Sequence, residues 1–385
     1  MAVALQLRAL LAYWRTDPSG TREFAQEAAT LARRVGDAAL ESRALGLLGE
    51  VAGMDGDLEL ARELSSRATH GWPEKDQDGN FAYACAMLGL ILYWRGEYSE
   101  SLDWSKVGYT RGIEVSSLNA TMQGGEQMGL ALAGLGRHEE AIASLERAIV
   151  LGREWEQTPR LTGRAMNILS GTLREIGDLG AARAITLEAE QMGRSATFAG
   201  GRVSASIDLL NLDLIEGDVG AAELALPGLL DAAEQTKGWH QWLFGGRLAE
   251  ARARLELMAG RPETAATAAQ DSLSLAGSRG RRKYACRSKI VLGESLLALG
   301  RGEEARTVLE EAVADAEALG QEPSLWSALS ALGAVLESLR RDEQADTARA
   351  RARDVVDRFA ERLSEDRRAV FVHTQAEVGT GQRDR

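Results

Sequence analysis

Apolar residues along this chain recur with the spacing of amphipathic helices, and short glycine turns interrupt the pattern. The segment ALGRGEEARTVLEEAV (298–313) places a Gly-Arg-Gly turn between two helical patterns. The segment GLGRHEEAIASLERAI, which begins at residue 134, has nearly the same arrangement. Because an amphipathic helix must cover its apolar face, each segment predicts a pair of antiparallel helices joined by a tight turn.

The turn residue recurs at an interval of 40 to 43 residues along most of the chain. Small residues usually lie seven positions before it and five and twelve positions after it, where they allow two helices to approach closely. A fixed period of this length is typical of a solenoid, in which each helix pair buries its apolar face against its neighbours. The turn residues are Gly56, Gly96, Gly136, Gly177, Gly217, Gly260, Gly300 and Arg340.

The pattern therefore predicts an all-α fold, a right-handed superhelical solenoid of antiparallel helix pairs. We expect residues 1–363 to form one continuous array of about nine pairs, with a degenerate first pair that has Gly20 and Ala25 in place of the usual turn and small residue. Residues 364–385 lose the period and form a C-terminal tail, whose last residues we expect to be disordered.

Composition restricts the partners and the cellular compartment that we expect for the array. The formal net charge is -12, which argues against direct nucleic-acid binding because phosphate contacts need a surplus of Lys and Arg. The longest apolar run, Phe81–Trp94, is shorter than the roughly 20 residues of a membrane span, so we expect a buried helix and no membrane association. Cys85 and Cys286 fit buried free thiols in a reducing, cytoplasmic setting.

No pattern in the sequence points to catalysis. It contains no GxxxxGK[ST] phosphate loop, no nucleophile elbow and no His/Cys spacing typical of a metal site. Carboxylate pairs such as Glu139–Glu140 begin second helices, where negative charge suits the helix N-terminus. We therefore expect no enzyme activity, no cofactor and no metal.

The turn and its small residues resemble the tetratricopeptide repeat. That motif has Leu-Gly in the first helix, a turn glycine seven residues later and alanines five and twelve beyond, as in LGESLLALGRGEEA and LGAVLESLRRDEQA. The longer period of about 40 residues is similar to helical sensor regions of bacterial ATP-dependent LuxR-type regulators and ATPase-linked cyclases. The resemblance implies a binding scaffold for signalling or regulation.

In this family the first helix of each repeat lines the concave groove at 13, 10, 6 and 3 residues before the turn. In the middle repeats these positions carry five arginines against two glutamates, Glu250 and Glu294. An excess of arginine in an acidic chain predicts a partner segment that is acidic or ends in a carboxylate. The predicted partner-binding residues are Arg164, Asn167, Arg174, Asn211, Arg247, Arg254 and Arg287.

Two alternatives stay open at this point. The arginines could only face solvent or pair with neighbours, for example Arg247 with Glu250, and the cluster SRGRRKYACRSK (278–289) could be a basic rim or merely a charged corner. The chain could also be a regulatory arm that senses a small molecule, as part of a larger ATPase, cyclase or transcription regulator. That function predicts a pocket lined by aromatic residues such as Tyr83 and Tyr93.

Overall fold

The computed structural model describes residues 1–15, 17–74, 78–155, 159–195, 199–236, 241–277 and 279–380. Within these ranges the chain forms nine antiparallel helix pairs followed by one further helix. The helices are α1 (Ala2–Trp14), α2 (Pro18–Val35), α3 (Ala38–Met54), α4 (Leu58–His70), α5 (Gly79–Arg95), α6 (Tyr98–Glu114), α7 (Leu118–Gly134), α8 (His138–Glu154), α9 (Pro159–Glu175), α10 (Leu179–Ser195), α11 (Ala199–Glu216), α12 (Val219–Gln235), α13 (Gln241–Met258), α14 (Pro262–Ala276), α15 (Arg282–Ala298), α16 (Gly302–Leu319), α17 (Glu322–Ser338), α18 (Asp342–Glu361) and α19 (Glu365–Thr380).

The predicted turn residues end the first helix of their pairs in a left-handed backbone conformation. The seven turn glycines have φ between +71° and +85°, a region that glycine enters without a steric penalty. Arg340 takes the eighth position with φ +56°. In the first pair Gly20 instead lies within α2, and Asp17 caps that helix by accepting a hydrogen bond from the Gly20 amide at 2.9 Å.

Replacement of Arg340 by glycine is expected to raise the free energy of unfolding by roughly 0.5–1 kcal/mol. The Arg340 side chain is exposed, so the change relieves the left-handed strain without removing buried contacts. Urea denaturation of the full chain measures the effect. Arg341→Gly is the control, because Arg341 has φ -102° and gains nothing from glycine; a similar gain in both variants would contradict the explanation.

The predicted small residues lie where the two helices of a pair meet. The residues five after the turn, such as Ala61, Ser101 and Ala305, are fully buried. At the position twelve after the turn, a Cβ on Gly108 would come within 2.8 Å of the backbone of α5. The repeat therefore encodes close packing within each pair, and side-chain size at these positions sets the distance between helices.

The pairs stack so that the odd-numbered helices form the inner, concave layer and the even-numbered helices form the outer layer. Each odd-numbered helix from α1 to α15 contacts the next odd-numbered helix, as α5 contacts α7 and α13 contacts α15. The first helix of each repeat therefore lines the groove, as the resemblance implied. The apolar run Phe81–Trp94 lies in α5, which is largely buried.

The superhelix is tight enough that its second turn touches its first. Arg281 Nε donates to the carbonyl oxygen of Gly56 at 2.9 Å, and Trp242 Nε1 donates to that of Gly53 at 2.9 Å. The backbone is also joined, because the Leu58 amide donates to the carbonyl oxygen of Arg279 at 3.1 Å. These contacts fix the corner between α3 and α4 against α13 and the start of α15.

Similar contacts continue along the same line. The Ser364 amide donates to Glu139 Oε1 at 2.8 Å, and Thr374 Oγ1 donates to the carbonyl oxygen of Gly177 at 3.0 Å. We call this line of contact the seam: it joins the turns at Gly56, Gly136 and Gly177 to segments roughly one superhelical turn later. The separation is 225 residues both for Gly56 with Arg281 and for Glu139 with Ser364.

The C-terminal segment contributes to the seam as a helix. α19 extends from Glu365 to Thr380, and Phe371 on it is fully buried against Phe359 and Trp326. We expect disorder in the last seven residues, 379–385; of these, 379 and 380 end α19, and 381–385 lie outside the described residues. The division into one array and a tail stays a prediction.

Three further sequence predictions concern the cysteines, membrane-spanning helices and the basic cluster at 278–289. Cys85 and Cys286 are buried free thiols, as predicted. The described helices include none that is both long and apolar enough to cross a bilayer. The cluster at 278–289 is not a simple charged corner or rim, because Arg281 and Lys283 are buried in and beside the seam.

Candidate functional site in the concave groove

The predicted partner-binding residues all lie on the inner helices. Arg164, Asn167 and Arg174 are on α9, Asn211 is on α11, and the remaining arginines are on α13 and α15. The sequence thus predicted the helices of the groove. It did not predict what these side chains contact.

A buried aspartate occupies the centre of the groove. Asp208 Oδ1 accepts a hydrogen bond from Arg174 Nη1 at 3.0 Å and another from Arg247 Nη2 at 2.6 Å. Arg247 Nη1 also donates to Ser204 Oγ at 3.1 Å. Because one carboxylate joins arginines from α9 and α13 to α11, this cluster ties three inner helices together.

A second buried carboxylate organises the next two inner helices. Glu250 Oε1 accepts from Arg287 Nε and Nη2 at 3.1 and 2.9 Å, and Arg254 Nε lies 3.7 Å away. Burial alone would raise the pKa of Glu250, but Arg287 and Arg254 outweigh it and hold the pKa below its usual value. Arg254 Nη1 is also 3.9 Å from Glu294. Glu250 is therefore ionised and held mainly by Arg287.

The remaining predicted residues also have internal partners. Arg164 donates to Glu126 and to Gln123 on α7. Asn167 Nδ2 donates to the carbonyl oxygen of Gly201 at 3.2 Å. Asn211 Nδ2 donates to the carbonyl oxygen of Ile207, one turn earlier in its own helix.

The positive charge expected in the groove is therefore largely neutralised by internal ion pairs. The charge count omitted buried carboxylates that neutralise the arginines, above all Asp208 and Glu126. The exposed fraction of the side chain separates two groups: it is 16% and 19% for Arg174 and Arg247, but 37% and 39% for Arg254 and Arg287. Arg254 is the more available of the last two, because its ion pairs are the longest.

A cleft opens in the N-terminal half of the groove, where α1, α3, α5, α7 and α9 meet. Tyr13 Oη donates to Glu50 Oε2 at 2.6 Å, and Tyr83 Oη donates to the same oxygen at 2.9 Å. Two arginines, Arg160 and Arg164, line the opposite wall. The other lining residues are Gly53, Met54, Met87, Ile91, Trp94 and Gln123.

Glu50 in this cleft and Glu126, which pairs with Arg164 beside it, both have raised pKa values. Burial raises the pKa of Glu50 to about 7, although the hydrogen bonds from Tyr13 and Tyr83 oppose the change. Burial also raises the pKa of Glu126 to about 7, although Arg164 opposes it. Glu50 has no hydrogen bond from a cationic side chain among the described residues, so it is the better candidate to hold a proton near neutral pH.

Replacement of Glu50 by glutamine is expected to raise the free energy of unfolding by about 1–3 kcal/mol at pH 8 and much less at pH 5. Between an unfolded pKa of 4.5 and a folded pKa of about 7, the folded chain holds this proton more tightly. The stability of the wild type therefore falls as pH rises through this window, and the neutral amide avoids that loss. Urea denaturation at both pH values measures it. Exposed Glu23→Gln is the control, and an equal gain at pH 5 would contradict the prediction.

Only one of the two aromatic residues predicted for a pocket lies in the cleft. Tyr83 lines it. Tyr93, ten residues later on α5, instead packs against Tyr98, with ring centroids 5.6 Å apart. Lys283 Nζ lies 3.5 Å from the centroid of the Tyr93 ring, across the seam. Tyr93 therefore belongs to the closure of the superhelix.

The sequence contained a usable signal for several of the missed residues. Glu50 lies six residues before Gly56, and Glu126 lies ten before Gly136, so both occupy expected groove positions. Asp208 lies nine residues before Gly217, one position away from the groove position expected ten residues before the turn. Its signal was an aspartate directly flanked by apolar residues, Ile207, Leu209 and Leu210, in an inner helix.

The comparisons with known proteins show the fold alone. No protein-family model matches the sequence, and no curated protein matches it at a significant level. A Rap protein complexed with Competence and Sporulation Factor is 13% identical with a TM-score of 0.55, and the alignment covers 94% of this chain and 99% of that one.

Two further solved structures align over similar lengths. The Rap conjugation gene regulator of plasmid pLS20, in complex with the Phr* peptide, is 12% identical with a TM-score of 0.58, covering 94% of this chain and 98% of that one. The apo form of the quorum sensor NprR from B. thuringiensis is 16% identical with a TM-score of 0.55, covering 91% and 97%. The chain therefore has the fold of tetratricopeptide-like helical repeat solenoids.

Proposed function

We propose that this protein is a regulatory scaffold that binds a segment of a protein or peptide partner in its concave groove. The observation that carries the proposal is the row of Arg and Asn side chains along four successive inner helices, α9, α11, α13 and α15, several of them partly open to the groove. The partner segment is acidic or ends in a carboxylate. Its proposed contacts are Arg164, Asn167, Arg174, Asn211, Arg247, Arg254 and Arg287, with Arg254 and Arg287 the most accessible.

Two of the similar structures support this function by what they contain. One is a Rap protein bound to Competence and Sporulation Factor, and another is a conjugation regulator bound to the Phr* peptide. The proposal includes no catalytic step. A bacterial, cytoplasmic signalling role is part of it, while the narrower resemblance to ATPase-linked regulators stays a prediction.

The test uses Arg254, because its removal disturbs the internal ion pairs least. Partners are captured from a lysate on the wild type, and the bound segment is mapped and synthesised. Its affinity for Arg254→Gln is expected to fall by about tenfold, the loss of roughly 1.4 kcal/mol from one charged contact. Arg306→Gln on the outer helix α16 is the matched control. Equal affinity of both variants would contradict binding in the groove.

A small-molecule sensor is the second candidate function, and the cleft beside Tyr83 favours it. The cleft combines buried polar groups with apolar and aromatic walls, which is typical of ligand sites. A ligand-dependent change in radius of gyration, measured by small-angle scattering, would favour this function over a scaffold. Of the two aromatic residues predicted to line such a pocket, Tyr83 lies in the cleft and Tyr93 does not.

A further inference from the structure

The cleft contains an acceptor that the chain itself leaves without a hydrogen bond. Both tyrosine hydroxyls donate to Glu50 Oε2, whereas Glu50 Oε1 accepts from none of the described residues. Glu50 is 7% exposed and lines the cleft, so a group that enters the cleft can reach Oε1. Oε1 can therefore take a proton and donate it to a bound group.

The opposite wall offers two cations to the same space. Arg160 lies close enough to lower the pKa of both Glu50 and Glu126. Arg164 donates hydrogen bonds from Nε and Nη2 to Glu126 and Gln123 on α7, while its Nη1 donates to none of the described residues. Guanidinium groups bind carboxylate through paired N–H donors, so a carboxylate that enters the cleft suits both side chains.

We propose that this cleft binds a carboxylate group of the ligand between Arg160 and Arg164, and that binding transfers one proton from solvent to Glu50. The inference rests on the proposed function of the groove as a ligand-binding surface, and it identifies one chemical group of that ligand. The protonated Glu50 donates from Oε1 to the bound carboxylate.

The charges at the cleft favour an anion over a cation. A bound carboxylate would lie against the guanidinium groups of Arg160 and Arg164, and protonation of Glu50 removes the negative charge that would oppose it. A bound ammonium would lie against the same two cations.

The environment of Glu50 makes this proton uptake possible near neutral pH. The groups that act on Glu50 are Tyr13 from α1, Tyr83 from α5 and Arg160 from α9. α2 and α4 also pack against α3 but contribute no group to this set. Burial already raises the pKa of Glu50 to about 7, and a neighbouring anion raises it further.

The size of the cleft limits what enters it. Its free space is ≈ 20 Å³, which suits one or two atoms of a polar end group rather than a whole ligand. Tyr13, Tyr83 and Trp94 form walls around that space. The ligand is therefore a molecule whose carboxylate projects into the cleft, either a small carboxylic acid or the end of a peptide.

The test is a fluorine NMR titration of the full chain with trifluoroacetate, which stays ionised throughout the pH range used. We expect saturable line broadening, with an apparent dissociation constant that rises towards tenfold per pH unit above about pH 7. Trifluoroacetamide, the neutral analogue, is expected not to bind. Equal broadening by the two probes would overturn the proposal.

Three variants assign the roles. Glu50→Gln is expected to bind trifluoroacetate with no dependence on pH, because the amide imitates the protonated acid. Arg160→Gln is expected to lose binding, and Glu126→Gln to keep the pH dependence. A pH dependence that persists in Glu50→Gln, or disappears in Glu126→Gln, would overturn the assignment of the proton. Circular dichroism confirms that each variant is folded.

Two further probes are needed. One distinguishes a peptide C-terminus from a small carboxylic acid, and the other tests whether the cleft binds a cation instead. Tighter binding of the tripeptide Ac-Ala-Ala-Ala with a free C-terminus than of trifluoroacetate indicates a peptide end, and the reverse order indicates a small acid; both support the carboxylate site. Preferential binding of carbon-13 methylammonium would overturn it. These titrations do not depend on the Arg254→Gln experiment. A failure of the carboxylate site in the cleft can therefore be distinguished from a failure of partner binding in the groove.

Discussion

Asp208→Ala is expected to lower the free energy of unfolding by about 3–5 kcal/mol. The change leaves the guanidinium groups of Arg174 and Arg247 without the carboxylate that both now contact, at 3.0 and 2.6 Å. Two poorly hydrated cations would then face each other across the groove. Urea denaturation monitored by circular dichroism measures the loss.

The control for this prediction lies on the same helix. Glu216 on α11 pairs with Arg183 at 2.6 Å, but both side chains are partly exposed. Glu216→Ala is expected to cost about 0–1 kcal/mol, as for surface ion pairs in general. If the two variants lost similar stability, the Asp208 cluster would contribute no more than a surface pair, and Arg174 and Arg247 would be freer to bind a partner.

Arg281→Met is expected to lower the free energy of unfolding by about 2–4 kcal/mol and to enlarge the molecule. Arg281 donates across the seam to the carbonyl oxygens of Gly56 and Asp55, at 2.9 and 3.3 Å. Its guanidinium carbon lies 4.6 Å from the centroid of the Trp242 ring. Methionine keeps the aliphatic volume but leaves these carbonyl oxygens without their donor.

Small-angle scattering and tryptophan fluorescence report the change directly. Opening of the seam increases the radius of gyration and exposes Trp242, which shifts its emission to longer wavelength. Arg282→Met is the matched control, because Arg282 is the next residue and its side chain is exposed. An unchanged radius of gyration in Arg281→Met would show that other contacts hold the seam without it.

The local part of this fold could be predicted from the sequence because it depends on residues close together in the chain. A turn glycine and the small residue five positions later, such as Gly96 and Ser101, determine how one pair closes. The same positions show which helix faces the groove. These features repeat, so each repeat supports the interpretation of the others.

The charge of the groove could not be predicted in the same way. Arg247 meets Asp208 from another repeat, and the contact depends on where a long side chain reaches. A difference of one position along α11 decides whether an aspartate faces the groove. A count of residue types at the expected groove positions therefore identified the right helices but overstated their positive charge.

The contacts of the seam could not be predicted from the sequence at all. The contact between Gly56 and Arg281 spans 225 residues, so it depends on small rotations added up over more than five repeats. A slight change in the rotation per repeat would separate these residues completely. No pattern within a single repeat records that sum.

The seam also changes how this chain should fold. A solenoid held only by neighbouring repeats behaves as a one-dimensional array that can melt from its ends. Here Glu139, at the start of α8 in the fourth helix pair, accepts a hydrogen bond from the backbone amide of Ser364, so loss of an early repeat removes support from the last helices. Such long-range closure favours a single cooperative transition, and the entropy of closing so large a loop slows its formation.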